Sequence, residues 1–214
     1  IINGLVNITT KDPFTSPGLS FEQQIGINHV NDPNNISAQL FNESAIRWDK
    51  VFAGKWAFKI NAGFNKGFDW IADNRSDLNP IANAATQLLG ADNPAYDEVN
   101  GYGNESSNRQ TLTLGGKNYV VARTGYLERE VANYHLRNWK GDISLYYKPA
   151  NKTVFSYTYR NAFLNNVYQR SNRFRLENYL LQQHIVQFKS LLAQARVYIN
   201  TENTGDSYNL RSMA

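Results

Sequence analysis

The feature that most constrains the fold is a long alternation of apolar and polar residues in "KWAFKINAGFNKGFDW", residues 55–70. The even positions from Trp56 to Phe64 carry aromatic and aliphatic side chains, whereas the odd positions are mainly Lys, Asn, Gly and Asp. Alternation with a period of two predicts an extended strand whose two faces meet different surroundings. Because an ordinary strand has about 5–6 residues, this one needs an unusually long apolar environment on one side and a polar one on the other.

Several other segments share this character. The alternation predicts seven long strands, at residues 18–30, 37–51, 56–70, 138–148, 153–163, 180–190 and 193–204. Short connections follow residues 51, 148 and 190, the connection after residue 30 is of modest length, and long ones follow residues 70 and 163. Short turns at one end of the strands and longer loops at the other are typical of an outer-membrane β-barrel. In that fold the strands would pair as antiparallel neighbours in sequence order.

The long connection at 71–137 is rich in Asn, Asp, Gly and Pro and has no sustained period. Within it, residues 81–90 are predicted as a short helix and residues 111–122 as a hairpin around Gly115 and Gly116. A second, Arg-rich loop is predicted at 164–179. Loops as long as the first are uncommon and usually have a function.

The composition excludes some classes of protein but does not identify a single one. The chain is 42% hydrophobic and 13% aromatic with a mean hydropathy of −0.53, too aromatic for disorder and too polar for a helical membrane protein. No apolar run reaches the roughly 18 residues that a spanning helix needs. The net charge of +4 does not indicate a particular class of binding partner. The absence of cysteine excludes disulfides and thiolate metal sites. A soluble β-sandwich, in which the apolar faces meet a protein core, stays open as an alternative.

The first residues carry a family resemblance. The run "NGLVNITTK", residues 3–11, resembles the last plug strand of TonB-dependent outer-membrane receptors, and the matching positions are Gly4, Val6, Asn7, Ile8, Thr10 and Lys11. The segments that follow, such as "RWDKVFAGKWAFKINAGFNKGFDWIAD", look like early barrel strands of such receptors, most of all those of the SusC-like branch with a carboxypeptidase-regulatory-like domain. We therefore expect residues 1–15 to be the end of a plug and residues 16–214 to be the N-terminal part of a barrel, in a chain that is a piece of a longer protein.

The resemblance implies an all-β, antiparallel transmembrane barrel of about 22 strands, of which about seven lie in this chain. It implies an active importer in the outer membrane of a Gram-negative-type bacterium. Such a receptor binds a scarce nutrient, for example a glycan, peptide or metal chelate, and moves it to the periplasm with energy delivered by TonB. The implied partners are TonB, outer-membrane lipid and lipopolysaccharide, the rest of the barrel and, in some members, a surface lipoprotein. Neither catalysis nor a cofactor nor nucleic acid is expected; a soluble β-sandwich binding module or a passive outer-membrane pore is the alternative.

The barrel interpretation assigns the two faces. Phe58, Ile60 and Phe64 would meet lipid, while Lys59, Asn61 and Asn65 would line a wet lumen. Aromatic girdles mark both edges of the apolar band of such a barrel. We expect Trp48 and Trp56 in the girdle at the short turn, and Phe68, with Trp70, in the other.

The candidate ligand contacts are aromatic and polar residues of the two predicted loops, because aromatic rings with a few polar groups suit small-molecule cargo. They are Trp70, Asp73, Tyr96, Tyr102, Arg109, Tyr126, Tyr168 and Arg170. Loop packing is the alternative role for each of them. The Arg-rich run around Arg173 and Arg175 is interpreted as contacting anionic headgroups or an anionic ligand. No metal site is expected, because the three histidines lack ligand spacing and the acidic loop residues lack an EF-hand pattern.

Overall fold

A computed structural model of the chain describes residues 10–30, 37–104, 108–169 and 172–213. Strands account for most of the regular structure, and the only helices in this described part are one or two turns long. The strands are β1 (Gly18–Asn28), β2 (Gln39–Phe52), β3 (Trp56–Phe68), β4 (Gly101–Tyr102), β5 (Arg109–Leu114), β6 (Lys117–Ala122), β7 (Tyr126–Leu127), β8 (His135–Ala150), β9 (Thr153–Gln169), β10 (Arg173–Lys189), β11 (Gln194–Asn203) and β12 (Tyr208–Asn209). The helices are α1 (Glu128–Val131), α2 (Leu210–Met213) and two 3₁₀ turns, Ala84–Thr86 and Gly90–Asp92. No helix in the described ranges has the length and apolar character needed to cross a membrane.

The seven long strands form one sheet in the order β1-β2-β3-β8-β9-β10-β11, with β12 added beside β10. The pairs β1–β2, β2–β3, β8–β9 and β10–β11 are antiparallel. The predicted order of strands, each beside its neighbour in sequence, is thus confirmed. Two further small sheets pair β4 with β7 and β5 with β6.

Tight turns connect three of the strand pairs. Between β2 and β3 the chain reverses through Ala53 and Gly54, whose φ values of 50° and 64° lie in the left-handed region. Glycine adopts that conformation at little cost, which favours the turn at this position. The other two turns are also short: Ala150 pairs with Thr153 across two residues, and Lys189 pairs with Gln194 across four residues.

Two predictions within the long connections are wrong. Residues 164–179 are not a loop, because β9 continues to Gln169 and β10 starts at Arg173. Polar residues stand on both faces of these extensions, so the strands continue without the apolar alternation. Residues 81–90 do not form a helix of that length: Asn83 adopts φ 65° and uses its side chain to bond both the N–H and the carbonyl of Val120. The hairpin predicted around Gly115 and Gly116 is confirmed as β5–β6.

The chain divides into two compact units. The first, here called the sheet unit, runs to Gly67 and continues over Arg137–Leu164 and Tyr179–Asn203. The second, here called the loop unit, comprises Phe68–Leu136, Asn165–Asn178 and the residues from Thr204 on.

The sheet unit has an inverted distribution of side chains. On one face Trp48, Ile143 and Leu145 are 46%, 56% and 45% exposed. On the other face Asp49 and Lys59 are only 2% and 3% exposed. The register places Phe58, Ile60 and Phe64 on the apolar face and Lys59, Asn61 and Asn65 on the polar one, so the predicted division of β3 is correct. Soluble proteins bury their apolar side chains and rarely bury charged ones, and this sheet does the opposite.

Aromatic rings form two rows across the apolar face. In the first row Trp56 packs on Tyr147 at 4.4 Å between ring centroids and Phe155 packs on Phe188 at 4.9 Å. Tyr147 and Phe155 are direct cross-strand partners, so four neighbouring strands contribute to this row. In the second row Phe64 lies 4.7 Å from Trp139, whose cross-strand partner is Phe163.

The two rows bound a band of limited height. Eight residue steps separate Trp56 from Phe64 on β3. At about 3.3 Å per step this is roughly 26 Å along the strand. Trp56 belongs to the first row, whereas Trp48 pairs with Ile60, four residues from Trp56 along β3, and lies 4.8 Å from Phe58. The second row consists of Phe64, Trp139 and Phe163, whereas Phe68 belongs to the loop unit and contacts Tyr134 and His135.

Candidate functional site

The polar face of the sheet unit carries a set of buried, paired charges. Asp49 is the cross-strand partner of Lys59 and also pairs with Arg47. On the neighbouring strand, the Asn61 amide donates to Asp142 Oδ2 at 2.8 Å. Burying a charge is costly unless it is paired and hydrogen-bonded. The contact between Asp49 and Arg47 meets that condition in part, because Asp49 Oδ1 and Arg47 Nε are buried without a hydrogen-bond partner.

The segment before β1 lies on this same polar face. Asp12 closes its turn, accepting from Phe14 N at Oδ1 and from Ser16 N at its carbonyl, both at 2.9 Å. Lys59 Nζ donates to the carbonyl of Lys11 at 2.8 Å, and Arg47 donates to the carbonyl of Ser16 at 2.6 Å. Lys59 and Arg47 therefore hold residues 11–16 through backbone carbonyls. These contacts do not depend on which side chains the segment carries.

Aromatic contacts hold the same segment from a second side. The Phe14 ring meets Tyr146 edge-to-face at 6.4 Å, and Lys148 Nζ lies 5.3 Å from the centre of the Phe14 ring. The neighbouring Pro13 is fully buried. The segment is thus packed into the polar face as well as hydrogen-bonded to it.

The polar face is also where the cavities of the sheet unit lie. Residues from all seven long strands line a cavity of about 810 Å³. A second cavity of about 490 Å³ lies beside Lys11, Asp12 and Lys59. Both are large enough for a small-molecule ligand. Five basic and two acidic side chains line the second cavity: Lys11, Lys59, Arg160, Lys189 and Arg196 with Asp12 and Asp142.

The loop unit is organised around one buried carboxylate. Glu128, in α1, has a fully buried side chain that accepts from Tyr102 and Tyr134, each at 2.7 Å, and pairs with Arg173 at 2.7 Å. Burial, and then the bond to Glu128, raises the pKa of both tyrosine hydroxyls, so they remain neutral donors. The contacts join residues far apart in sequence and give the loop unit a fixed internal geometry.

A second buried group ties β9 to the end of β3. Asp69 Oδ2 accepts from the backbone N–H of Val167 at 2.7 Å. Burial raises the pKa of the Asp69 carboxyl, and the Val167 N–H and the nearby Arg175 and Arg173 oppose that rise only in part. Arg175, 2% exposed, donates to the carbonyl of His135 at 3.0 Å.

The predicted ligand contacts fall into two groups. Four of them work within the loop unit: Tyr102 bonds Glu128, Arg109 pairs with Asp97, Asp73 pairs with Arg75, and the Tyr96 hydroxyl bonds the Arg75 carbonyl. Three are large exposed aromatics of the loop unit: Trp70, Tyr126 and Tyr168. Arg170 lies outside the described residues, as do the plug-like positions Gly4 to Ile8.

Other predicted features have different roles from those expected. Arg173 and Arg175 are strand residues, the first partly buried and the second buried, so the described part of the Arg-rich run does not form the exposed anion-contacting loop that was predicted. Asp97 and Glu98 are engaged by Arg109 and Arg75. Among the described residues, no group of three or more His, Cys, Asp or Glu side chains has an arrangement that would hold a metal ion.

The sequence analysis missed Glu128 and Arg47. Glu128 is the first residue of a four-residue helix and meets partners at positions 102, 134 and 173, so no local pattern marks it. The alternation of β2 predicts that Arg47 lies on the polar face of the strand. It does not predict the hydrogen bond from Arg47 to the carbonyl of Ser16.

Comparisons with protein-family models, with curated proteins and with solved structures found no match to this chain.

Proposed function

We propose that this chain is part of an outer-membrane active transporter of the TonB-dependent type, comprising the end of the plug and the first barrel strands. The observation that carries the proposal is the inverted sheet, with an apolar face exposed between two aromatic rows and charges buried on the other face. In lipid, a polar lumen and an apolar exterior are the stable arrangement. A soluble β-sandwich would need a second layer over the apolar face, yet Ile143 and Leu145 remain about half exposed.

The segment before β1 supports the plug assignment. In the proposed transporter the chain leaves the plug inside the lumen and enters the barrel wall at its first strand. Residues 11–16 lie on the polar face of the sheet, held by Lys59 and Arg47, immediately before β1 begins at Gly18. That is the position which a plug-to-barrel connection requires.

In this proposal the chemistry is binding and transport. Residues 69–134 and the ends of β9 and β10 form an extracellular cargo-capturing body, and the short turns face the periplasm. TonB supplies the energy through parts of the protein outside this chain. The outer-membrane lipid and lipopolysaccharide contact the apolar face, and a surface lipoprotein is a further partner to test by co-purification.

The membrane-facing assignment is tested by a matched pair of substitutions in the full-length protein. Ile60→Arg places a cation on the apolar face, at a cost of about 2–4 kcal/mol near the bilayer midplane. Asn61→Arg places the same cation on the polar face beside Asp142. We expect Ile60→Arg to reduce the heat-modifiable, assembled form strongly and Asn61→Arg to leave it nearly unchanged. Equal effects of the two would contradict the assignment.

Energy dependence separates the importer from a passive pore. Growth of a gene-deletion strain on single scarce nutrients first identifies the solute whose uptake requires the protein. Uptake of that solute should stop when the proton-motive force is collapsed, whereas binding to the cell surface persists. Uptake that continues at the same rate without the force would show a passive pore.

A further inference from the structure

Three large aromatic side chains are exposed on the loop unit although they come from separate parts of the chain. Trp70 is 69% exposed, Tyr126 is 51% exposed and Tyr168 is 49% exposed. Exposed rings of this size are enriched at binding surfaces, where they supply large contact area at a low cost in conformational entropy. The question is whether the fold brings the three together.

Polar contacts connect the backbones that carry the three rings. The Asp69 carboxylate accepts from the N–H of Val167 at 2.7 Å, and these two residues directly precede Trp70 and Tyr168. The Arg173 guanidinium donates to the carbonyl of Trp70 at 3.4 Å and pairs with Glu128 at 2.7 Å.

The backbone of the third ring, Tyr126, is connected to that of Trp70 through the Glu128 carboxylate. Tyr126 stands two residues before Glu128 and is the cross-strand partner of Tyr102 in the β4–β7 pair. The Tyr102 hydroxyl donates to Glu128 Oε2 at 2.7 Å. Through Glu128 and its two partners, Arg173 and Tyr102, the backbone of Tyr126 is thus connected to that of Trp70.

We propose that Trp70, Tyr126 and Tyr168 form one ligand-contact surface and that Glu128 is the positioning residue that sets its geometry. This deepens the proposed function and rests on it. A surface of one indole and two phenol rings fits a solute with a flat ring or an extended apolar face, held by stacking, and does not fit a small compact ion.

The energetics favour positioning over stability as the role of the buried charges. Replacing a buried ion pair by apolar residues of similar size is often neutral or stabilising, so such a pair is weak evidence for stability. The Glu128 carboxylate fixes the orientation of its partners, because two hydroxyls and a guanidinium must all meet its two oxygens. A preorganised surface loses less entropy when it binds its ligand.

Cysteine cross-linking tests the geometry in the purified full-length protein. This chain contains no cysteine, so any native cysteine elsewhere in the protein is first replaced. The pairs Trp70→Cys/Tyr168→Cys and Trp70→Cys/Tyr126→Cys should both cross-link rapidly with a short bis-maleimide. Adding Glu128→Met and Arg173→Met together, which removes both charges, should slow cross-linking at least five-fold while the loop unit stays resistant to protease.

Two results would overturn the proposal: slow cross-linking in the unaltered background, or unchanged cross-linking in the folded Met/Met protein. Because Glu128→Ala leaves Arg173 unpaired and unfolding alone would explain its effect, the Met/Met protein is the decisive variant. Thr113→Val with Asn118→Ala removes an exposed hydrogen-bonded pair of the same unit and is the matched control, with no change expected.

The role of the surface is tested with the solute identified by growth. Trp70→Ala and Tyr168→Ala should each raise the half-maximal solute concentration for growth about ten-fold, while Leu112→Ala, another exposed residue of the loop unit, should not. Normal growth of both aromatic variants would overturn the surface. If instead the gene deletion itself has no growth phenotype on any solute, the proposed function fails, and the cross-linking result still decides the geometry.

Discussion

The two units of the molecule differ in the side chains that they bury. In the loop unit the fully or nearly buried residues include Ala95, Leu210, Tyr102 and Tyr134, and the buried Glu128 is paired. In the sheet unit the most buried residues include Asp49 and Lys59, while rows of aromatic and aliphatic residues are exposed. The proposed function accounts for this difference by placing water around the loop unit and an apolar medium against one face of the sheet.

The largest effect is expected from removing a buried cation of the sheet unit. Lys59→Met leaves Asp49 with Arg47 alone and releases the carbonyl of Lys11. Breaking a buried charge pair costs about 3–5 kcal/mol, which urea unfolding of the detergent-refolded protein would measure. Lys140→Met, at an exposed position on the polar face of the neighbouring strand β8, is the control and should cost less than about 0.5 kcal/mol. Equal stability of the two variants would mean that the polar face is not held by its charges.

A smaller effect is expected at a glycine of the loop unit. A Cβ at Gly205 would lie 2.5 Å from the carbonyl oxygens of Glu177 and Asn178, and its φ is 57°. Gly115 has a similar φ of 58° but open space around it. Both Ala variants incur the cost of the left-handed conformation, about 1–2 kcal/mol. Only Gly205→Ala adds a clash, which costs a further 1–3 kcal/mol or so.

Limited proteolysis can compare the Gly205→Ala and Gly115→Ala variants. The fragment pattern should change for Gly205→Ala and much less for Gly115→Ala. If the two variants behave alike, the close approach of residue 205 to β10 is wrong.

The smallest effect concerns the Asp69 carboxyl. Its pKa is raised by burial above the ordinary 3.8, so the folded state holds the proton to higher pH than the unfolded state does. The favourable contribution is therefore full below the unfolded value and is lost as the pH rises through the folded one. Asp69→Asn imitates the protonated group and can still accept from Val167.

Hydrogen exchange would measure this effect at the peptide around Val167. Exchange should be slower in Asp69→Asn than in the unaltered protein at pH 7, and the difference should close toward pH 4. Faster exchange in the variant at pH 7 would show that the ionised carboxylate stabilises the loop unit.

The sequence predicted the sheet unit better than the loop unit for a physical reason. Alternation marks any strand with two unlike faces, so the order and facing of the long strands followed from positions such as Phe58, Lys59 and Ile60. The ends of β9 and β10 were missed because polar residues stand on both faces there and leave no period.

The candidate site was predictable only in part. The exposed aromatics Trp70, Tyr126 and Tyr168 were selected by residue type and by their place in the predicted loops. The Glu128 contacts join positions far apart in sequence, and such contacts follow from tertiary packing that no local pattern reports. Tyr102 and Arg109 were selected on the same grounds and are instead used inside the unit.

The most direct test of the central claim, that the apolar face of the sheet meets lipid, is a spin-label measurement on β8. Ile143→Cys and Lys140→Cys place labels at two exposed positions three residues apart on opposite faces of the strand. In the full-length protein reconstituted into vesicles, molecular oxygen should relax the label at 143 strongly and a water-soluble nickel chelate should not. The label at 140 should show the reverse preference. A label at 143 that the nickel chelate relaxes as strongly as the label at 140 would place this face in water and contradict the account.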